Sequence, residues 1–387
     1  MTVSTSIQSP TDDLLNAAQM QAQTQTANIK IADRLVGPTH APFVIAELSG
    51  NHNGSLERAL QLVDAAADSG VDALKLQTYT ADTLTLDCDG PDFQIVNPES
   101  LWAGQTLYKL YQKAYTPWAW HGPIFERCQK LGLICFSTPF DVSAIELLES
   151  LNCPAYKIAS FENIDLALIA AVAKTGKPVI ISTGLASEED ITDAVTTAIT
   201  HGCTQLALLK CTSSYPANPK NSNLLTLPYL QRKFGQLVAQ LNPNAVLLTG
   251  LSDHTLGIGA AVASVALGGR IIEKHLTLDR DGGGVDDAFS LEPQEMMQLK
   301  LEADRAQQAL GQIFMGPTEA EQQNLIFRRS LYISQPVKAG ECLTEANVRS
   351  VRPGYGLKPK FLPQVLGQRA KRDLALGDRV TWDVIDR

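Results

Sequence analysis

The sequence predicts an α/β protein: a (β/α)8 TIM barrel followed by a small, mostly β domain. Three observations support this fold: short apolar runs alternate with amphipathic segments, there are eight such runs, and polar residues gather where the runs end. Apolar strands that alternate with helices indicate a parallel sheet covered by helices. Eight such units over about 250 residues are typical of a closed barrel. An open, doubly wound sheet is the alternative that this pattern leaves open.

Eight apolar runs are the predicted barrel strands, with helix signals between them. The runs span residues 43–49, 72–78, 132–138, 154–160, 177–183, 205–212, 245–252 and 270–277. In SLERALQLVDAAADSG, Ser55 is a predicted N-cap and the helix ends at Gly70. In SEEDITDAVTTAITHG, Ser187 precedes acidic residues in the first turn and the helix ends at Gly202.

Length and composition indicate one large domain and a smaller one. The chain has 387 residues, of which 44% are hydrophobic and 19% are charged, enough apolar material for a sizeable core. Four segments are expected: a polar N-terminal extension at 1–34, the barrel at 35–310, a linker at 311–327 and the β domain at 328–387. That last domain contains a weak internal repeat, because VKAGECLTEANV and LALGDRVTWDVI align in register.

The overall charge excludes several classes of function. A net charge of −9 argues against a nucleic-acid or anionic-membrane surface, because both require clustered Lys and Arg. No apolar run approaches the ~18 residues of a membrane span, and the first residues do not resemble a signal peptide, so a cytoplasmic protein is expected. Seven cysteines without a C-x-x-C pair are expected to be reduced core residues.

Two of the six histidines, His254 and His275, follow the seventh and eighth predicted strands. These strands are neighbours in a barrel, so the two imidazoles can converge on one point at the rim that carries the active site. Two imidazoles leave open coordination positions, which suits a catalytic divalent ion better than a structural zinc. For either histidine alone, a surface or packing role is the alternative.

Two lysines, Lys75 and Lys157, lie within apolar runs. A buried lysine requires a partner anion. Beside the hydroxyls and amides of the strand ends, the two lysines could bind a phosphate and a carboxylate. Glu47 and Glu162 are then left for proton transfer or for sugar hydroxyls. A structural ion pair with either glutamate is the alternative.

Three loops also carry candidate residues. Residues 79–116 form a long loop rich in Trp and Tyr, predicted to be a lid or specificity wall, with an ordinary packed helix as the alternative. In GGGVDDAFSLEP the glycines allow close approach to a ligand, and Asp286 or Asp287 could reach a metal or a hydroxyl. In VRPGYGLKP a stiff loop presents Arg352, a side chain suited to an amide or a carboxylate.

Nine motifs in order, spread over residues 35–387, resemble those of the sialic acid synthase family. They are VIAELSGNHNGS, LKLQTYT, FSTPFD, YKIASFE, ISTG, KCTSSYP, GLSDHT, EKHLTLDR and RPGYG. Within the family, KAYTPWAWH, KCTSSYP and LDRDGGG…DDAFSLEP are most similar to the branch that makes pseudaminic acid. The resemblance implies a metal-dependent condensation of phosphoenolpyruvate with an N-acetylated amino sugar, in a barrel followed by an antifreeze-like (SAF) domain.

The resemblance also implies residue roles. Phosphoenolpyruvate would contact Lys75, Thr138, Lys157, Ser160, Ser182, Ser213 and Ser252. The sugar would contact Glu47, Gln77, Glu162, Tyr215 and Asp286. His254 and His275 would bind the divalent ion, expected to be Mn²⁺, with Mg²⁺ or Co²⁺ as alternatives. Family members are domain-swapped homodimers, so Arg352 would act in the active site of the partner chain.

The expected sugar is the open-chain form of 2,4-diacetamido-2,4,6-trideoxy-L-altrose, which gives pseudaminic acid. Synthesis of N-acetylneuraminate or legionaminic acid from another N-acetylated hexose is the alternative within the family. Two readings outside it stay open: a metal-dependent aldolase that uses pyruvate, and a non-catalytic protein that binds sugar through the terminal β domain. Only an enzyme of phosphoenolpyruvate requires two lysines around a phosphate, and a sugar-binding β domain would not require the two histidines.

Overall fold

The computed structural model describes residues 28–98 and 100–386. Contacts divide the chain into two compact units, one up to Gly311 and one from Gln312. Within the described residues, no helix combines the length and the apolar character needed to cross a membrane.

The first unit is a closed barrel of eight parallel strands, as predicted, and an open sheet is excluded. The strands are β3 (Phe43–Glu47), β4 (Ala73–Thr78), β5 (Ile134–Pro139), β6 (Tyr156–Ile158), β7 (Val179–Ser182), β8 (Gln205–Cys211), β9 (Val246–Ser252) and β10 (Ile271–His275). They are hydrogen-bonded in chain order, and β10 pairs with β3 to close the ring, with His275 opposite Glu47.

Helices surround the barrel and follow its strands. They are α1 (Leu56–Asp68), α2 (Ala81–Leu84), α3 (Leu107–Ala114), α4 (Trp118–Lys130), α5 (Val142–Ser150), α6 (Leu166–Ala173), α7 (Glu188–Thr200), α8 (Thr226–Leu241), α9 (Gly259–Ala266) and α10 (Pro293–Leu310). Short 3-10 turns lie at Pro91–Phe93, Ser160–Glu162, Pro219–Asn221 and Asp287–Phe289. Both predicted N-caps are confirmed: Ser55 accepts a hydrogen bond from the amide of Arg58, and Ser187 accepts one from Asp190.

The strands are mostly apolar because they are buried on both faces, and they also carry a few buried charges such as Lys75, Lys157 and Glu273. Along β3, Phe43 and Ile45 belong to one buried cluster, and Val44 belongs to a second cluster that includes Leu62 and Val63 of α1. This alternation is the period of two expected of a strand with helices on its outer face. All seven cysteines are free thiols, as predicted; five are buried in the core, whereas Cys88 and Cys342 are only half-buried.

An antiparallel hairpin that the sequence analysis did not predict precedes the barrel. It consists of β1 (Ile29–Ile31) and β2 (Arg34–Val36). Ile29, Ile31 and Val36 are fully buried in the same cluster as Phe43, and the amide of Lys30 donates to Gln205 Oε1 at the start of β8. The hairpin therefore covers the amino-terminal end of the barrel. Of the extension expected at 1–34, residues 1–27 lie outside the described part of the chain.

The second unit contains two-stranded pairings around a small core of its own. Its elements are a 3-10 segment at Glu319–Phe327, β11 (Ser330–Ile333), β12 (Val348–Val351), a 3-10 turn at Pro359–Phe361, α11 (Leu362–Val365), β13 (Arg369–Ala370), a 3-10 turn at Trp382–Val384 and β14 (Ile385–Asp386). The two halves of the sequence repeat meet at equivalent residues, because Val337 and Leu374 exchange backbone hydrogen bonds of 2.9 and 2.8 Å. Gly340 and Gly377, also equivalent, both have positive φ.

Candidate active site

A cavity of about 410 Å³ lies at the carboxyl ends of the barrel strands, within the size range of small-molecule sites. Its lining brings together most of the residues singled out from the sequence: Glu47, Lys75, Gln77, Thr138, Lys157, Ser160, Glu162, Ser182, Tyr215, Ser252, His254, His275 and Asp286. Ser213 and Arg352 are not among its lining residues.

Ser213 lies just behind the cavity wall. A Cβ added at Gly184 would be 2.3 Å from Ser213 Oγ and 2.6 Å from Ser160 Oγ, so both hydroxyls border this glycine. The amide of Gly184 donates to Ser160 Oγ at 3.1 Å. Arg352 belongs to the second unit, where its side chain is exposed and its peptide bond to Pro353 is cis.

Four buried charges occupy the floor of the cavity. Lys75 Nζ lies 2.5 Å from Glu47 Oε2 and 2.9 Å from Thr138 Oγ1. Lys157 Nζ donates to Ser182 Oγ at 2.6 Å. The carboxylate of Glu273 lies 3.9 Å from the Lys75 ammonium and 3.8 Å from that of Lys157. The structural pairing that the sequence left open for Lys75 is therefore present, and its partner is Glu47.

Sequence reasoning missed Glu273, which is central to this cluster. The residue lies in β10 two positions before His275, so both side chains point into the barrel, and Ser252 Oγ donates to Glu273 Oε1 at 3.1 Å. The period of two was the signal that could have found it. The spacing of two residues puts Glu273 on the same face of the strand as His275.

The charges in the cluster shift one another's pKa values. Burial lowers the pKa of Lys75, but Glu273 and Glu47 outweigh burial and the pKa is raised. For Lys157, burial outweighs the attraction of Glu273 and the pKa is lowered. Burial raises the pKa of Glu273, but Lys157 and Lys75 outweigh it and the pKa is lowered. A site built this way holds buried cations and carboxylates close together, where an entering anion would have strong electrostatic interactions.

The two histidines face each other at the rim, with ring centroids 5.3 Å apart. His254 Nδ1 lies 3.2 Å from the carbonyl oxygen of Thr212, which leaves Nε2 for a ligand. His275 Nδ1 is buried and has no hydrogen-bond partner, and the nearest carboxylate oxygen, Asp286 Oδ2, is 3.6 Å away. An unpaired imidazole nitrogen beside a second imidazole is an arrangement that a divalent cation fits.

Burial and neighbouring groups shift the pKa values of the two histidines in opposite directions. Burial and the neighbouring His254 hold the pKa of His275 well below its usual range, so this imidazole is neutral, the form that binds metals. Burial lowers the pKa of His254, but its contact with Cys211 outweighs burial and the pKa is raised. Among the described residues, no group of three or more His, Cys, Asp or Glu side chains is arranged to hold a metal ion. Two imidazoles would leave the other positions to water and substrate.

The two aspartates of the glycine-rich loop after β10 make different contacts. Asp286 lines the cavity, accepts a hydrogen bond from Ser49 Oγ, and its amide donates to Asn51 Oδ1 at 3.1 Å. Burial raises its pKa to about 6. Asp287 instead accepts from Thr277 Oγ1 at 2.5 Å and pairs with Arg58 at 3.7 Å, which holds the loop in place.

Glu162 places its carboxyl group at the cavity wall. It ends the 3-10 turn after β6, and its Oε2 is buried without a hydrogen-bond partner. Burial raises its pKa to about 7, although the charge of Lys157 opposes this effect. Such a group can donate or accept a proton near neutral pH.

The long loop after β4 supplies an apolar wall to the cavity, hereafter the apolar wall. Its cavity-lining residues are Tyr79, Leu84, Ile95, Trp102, Leu107, Leu110, Tyr111 and Ala114. The indole of Trp102 donates to the carbonyl oxygen of Val285 at 3.1 Å, and its ring lies 5.9 Å from that of Tyr215. The loop thus reaches across the cavity to the loops that follow β8 and β10.

The sequence of this chain matches a known protein family and several characterised enzymes. Residues 62–314 match the NeuB family, and residues 328–385 match the SAF domain. The chain is 44% identical to the pseudaminic acid synthase of Campylobacter jejuni over 87% of this chain and 94% of that protein. It is 40% identical to the pseudaminic acid synthase of Helicobacter pylori, over 89% and 98%.

A solved structure agrees with these matches. The crystal structure of N-acetylneuraminic acid synthetase from Leptospira borgpetersenii, in complex with citrate, covers 77% of this chain and 95% of its own, with a TM-score of 0.65 and 32% identity. The resemblance inferred from the nine motifs is thereby confirmed. The chain therefore belongs to the NeuB family, and its barrel is followed by a SAF domain.

Proposed function

We propose that this chain is a pseudaminic acid synthase. The reaction joins phosphoenolpyruvate, the open-chain aldehyde of 2,4-diacetamido-2,4,6-trideoxy-L-altrose and water, and releases pseudaminic acid and phosphate. The observation that carries the proposal is the buried Lys75–Glu273–Lys157 cluster beside the two rim histidines. Similarity to two pseudaminic acid synthases over most of their length supports the choice of sugar.

Phosphoenolpyruvate is proposed to bind over the floor of the cavity. Lys75 and Lys157 supply positive charge from two strands, and hydroxyls from the neighbouring strands supply hydrogen bonds. The hydroxyl residues proposed for this role are Thr138, Ser160, Ser182, Ser213 and Ser252. The same lysines stabilise the phosphate as it leaves.

A divalent cation, proposed to be Mn²⁺ with Mg²⁺ or Co²⁺ as alternatives, would be held by His254 and His275 and would supply Lewis-acid polarisation of the sugar aldehyde. Both imidazoles are almost fully buried at this end of the cavity. Asp286, beside His275, is proposed to orient a sugar hydroxyl.

The bond changes balance without any further reactant. The C3 carbon of phosphoenolpyruvate forms a bond to the aldehyde carbon, and the carbonyl oxygen takes up a proton. Water adds to C2 and loses a proton. The resulting C2 hydroxyl gives its remaining proton to the phosphate as the C2–O bond to phosphate breaks, which leaves the C2 ketone. Burial raises the pKa of Glu47 despite Lys75, and burial raises that of Glu162 to about 7, so both carboxyls can carry these protons. Gln77, which donates to Glu47 Oε1 at 3.0 Å, orients that carboxylate.

The composition of the apolar wall favours a substrate that is a deoxygenated, doubly acetylated sugar. A 2,4-diacetamido-2,4,6-trideoxy sugar presents a C6 methyl group and two acetamido methyl groups, which match apolar side chains better than hydroxyls do. Tyr215, between Trp102 and Phe289, is proposed to contact the sugar at the edge of this wall. A sugar with a hydroxyl at C6 would be discriminated against by about tenfold to a hundredfold.

The second unit is proposed to act in a homodimer. Arg352 would enter the barrel of the partner chain and donate hydrogen bonds to an acetamido oxygen. The proposed limits are a barrel unit that includes the hairpin from Ile29 and ends at 310, the linker at 311–327 and the SAF domain at 328–387. Because phosphoenolpyruvate is a metabolite of the cytoplasm, a cytoplasmic location belongs to the same proposal.

The decisive experiment is a product assay by mass spectrometry. The protein is incubated with phosphoenolpyruvate, Mn²⁺ and, separately, the 2,4-diacetamido-altrose, its legionaminic counterpart and N-acetylmannosamine. We expect pseudaminic acid and inorganic phosphate in the first reaction, at a rate at least tenfold above the other two. Preferred turnover of another sugar would replace the proposed substrate, and absence of phosphate release with every sugar would overturn the reaction.

A further inference from the structure

We infer that the buried ion pair between Asp253 and Lys274 is a positioning device that sets the separation of His254 and His275. Each member of the pair directly precedes one of the two histidines in the sequence. The inference rests on the proposed function, because it takes the two histidines as the metal ligands.

Backbone pairing between β9 and β10 stops short of both histidines. The ladder joins Ile271 to Gly250 and ends at the pair of Glu273 and Ser252. One further backbone hydrogen bond, from the amide of Asp253 to the carbonyl of Glu273, measures 2.9 Å. Backbone hydrogen bonding between the ends of β9 and β10 therefore stops just before the two histidines.

Each histidine is attached by its backbone to the strand or loop on its far side. The register between β10 and β3 places His275 opposite Glu47, and the carbonyl of His275 accepts from Leu291 at 2.8 Å. The carbonyl of His254 accepts from Ala217, in the loop after β8, at 2.9 Å. These contacts hold the two histidines to opposite neighbours and leave their mutual distance to other groups.

The ion pair links the ends of β9 and β10 through side chains. Lys274 Nζ donates to Asp253 Oδ2 at 2.9 Å and to the carbonyl oxygen of Thr255 at 2.6 Å, so one ammonium holds both sides of His254. Asp253 in turn accepts from the amide and the hydroxyl of Thr255, at 2.9 and 3.1 Å. The result is a rigid turn around His254 that is fastened to the residue before His275.

The pair faces away from the cavity and is separated from it. Asp253 and Lys274 are almost fully buried, with side-chain exposures of 2% and 1%, and neither lines the cavity, whereas Glu273 and His275 do. Alternation along β10 puts Lys274 on the outer face of the barrel. A buried pair in this place contacts no substrate, and it acts on the metal site only through the histidines. Groups that orient metal ligands without touching the metal typically change its affinity by about tenfold to a hundredfold.

The test replaces both charges together. The double variant Asp253→Asn/Lys274→Met leaves no buried unpaired charge, so it is expected to retain the fold, judged by its circular dichroism and Tm. Metal-free protein is titrated with Mn²⁺ in a calorimeter, and its Co²⁺ complex is recorded by visible absorption. We expect the Kd for Mn²⁺ to rise at least tenfold and the Co²⁺ spectrum to change.

A control removes a largely buried ion pair at the other end of the barrel. Lys300 Nζ lies 3.2 Å from Asp72 Oδ2, just before β4. Arg34 also pairs with Asp72, and Asp304 with Lys300. Asp72→Asn/Lys300→Met should leave both metal readouts at wild-type values. If the first double variant does not fold, Lys274→Arg, which keeps the charge on a longer side chain, should still shift the Co²⁺ spectrum.

Two results would overturn the inference in distinguishable ways. Wild-type Kd and spectrum in the folded double variant, or an unchanged spectrum in Lys274→Arg, would mean that the pair only stabilises the fold. Wild-type protein that binds no Mn²⁺ would remove the proposed metal site, and with it the role of the pair.

Discussion

Glu47 and Lys75 lie side by side on neighbouring strands, paired in register between β3 and β4, and their charged groups are 2.5 Å apart inside the barrel. Both side chains are almost fully buried. The ion pair joins a group proposed to bind phosphoenolpyruvate to a group proposed to carry a proton. Binding of an anion at Lys75 is therefore expected to change the charge balance around Glu47.

Lys75→Met and Lys157→Met should each raise the KM for phosphoenolpyruvate by about tenfold to a hundredfold, because each removes a charge-assisted contact worth roughly 1.5–3 kcal/mol. Lys75→Met should also lower the Tm more than Lys157→Met, since it leaves Glu47 without its ion-pair partner. Steady-state kinetics and thermal unfolding measure both effects. Lys177→Met, which breaks an ion pair with Glu149 outside the cavity, is the control. Unchanged kinetics in both cavity variants would move the anion site elsewhere.

Chelation should abolish activity, and Mn²⁺, Mg²⁺ or Co²⁺ should restore it. His254→Ala and His275→Ala should bind Mn²⁺ more weakly and lose at least a hundredfold in kcat/KM, because each removes half of the protein ligands proposed for the ion. His201→Ala, at the exposed end of α7, is the control. Full activity of both cavity variants in metal-free buffer would contradict the proposed role of the histidines.

Glu162→Gln should change how stability depends on pH. The folded protein holds the pKa of Glu162 near 7, above the usual 4.5, so this carboxyl contributes stability below about pH 4.5 that is lost as the pH rises through 7. The variant lacks this titration and should exceed wild type in free energy of unfolding at pH 8 by roughly 1–3 kcal/mol. Urea unfolding at pH 5 and pH 8 measures the difference, with the exposed Glu146→Gln as control. If wild type and variant have equal free energies of unfolding at pH 8, burial does not raise the pKa of Glu162.

Arg352 is expected to complete the active site of a second chain, and mixing two inactive proteins tests this. Arg352→Ala and His275→Ala should each be nearly inactive alone. After subunit exchange, a mixed dimer would contain one site with both wild-type residues, so activity should return to as much as half the wild-type value per site. Mixing each variant with itself is the control. No recovery in a mixture shown to have exchanged subunits would mean that Arg352 serves its own barrel or none.

Some features could be predicted because local physics determines them. A strand buried on both faces is mostly apolar, so the eight strands stand out as apolar runs in the sequence. A side-chain oxygen at an N-cap binds an amide two or three residues later, so Ser55 and Ser187 could be found from their own segments. Polar residues at strand ends predicted the rim, and the barrel brought them into one cavity.

Other features were decided only by the tertiary structure, because they depend on which strands become neighbours and how they align. Register between β3 and β4, and not distance along the chain, makes Glu47 the partner of Lys75 in place of Glu162. Packing against Arg58 and Thr277 turns Asp287 away and leaves Asp286 in the cavity. The sequence by itself determined which segments become strands and helices and which polar residues reach the rim. Folding determined which of those charges meet, since pairing inside a barrel joins residues that lie far apart along the chain.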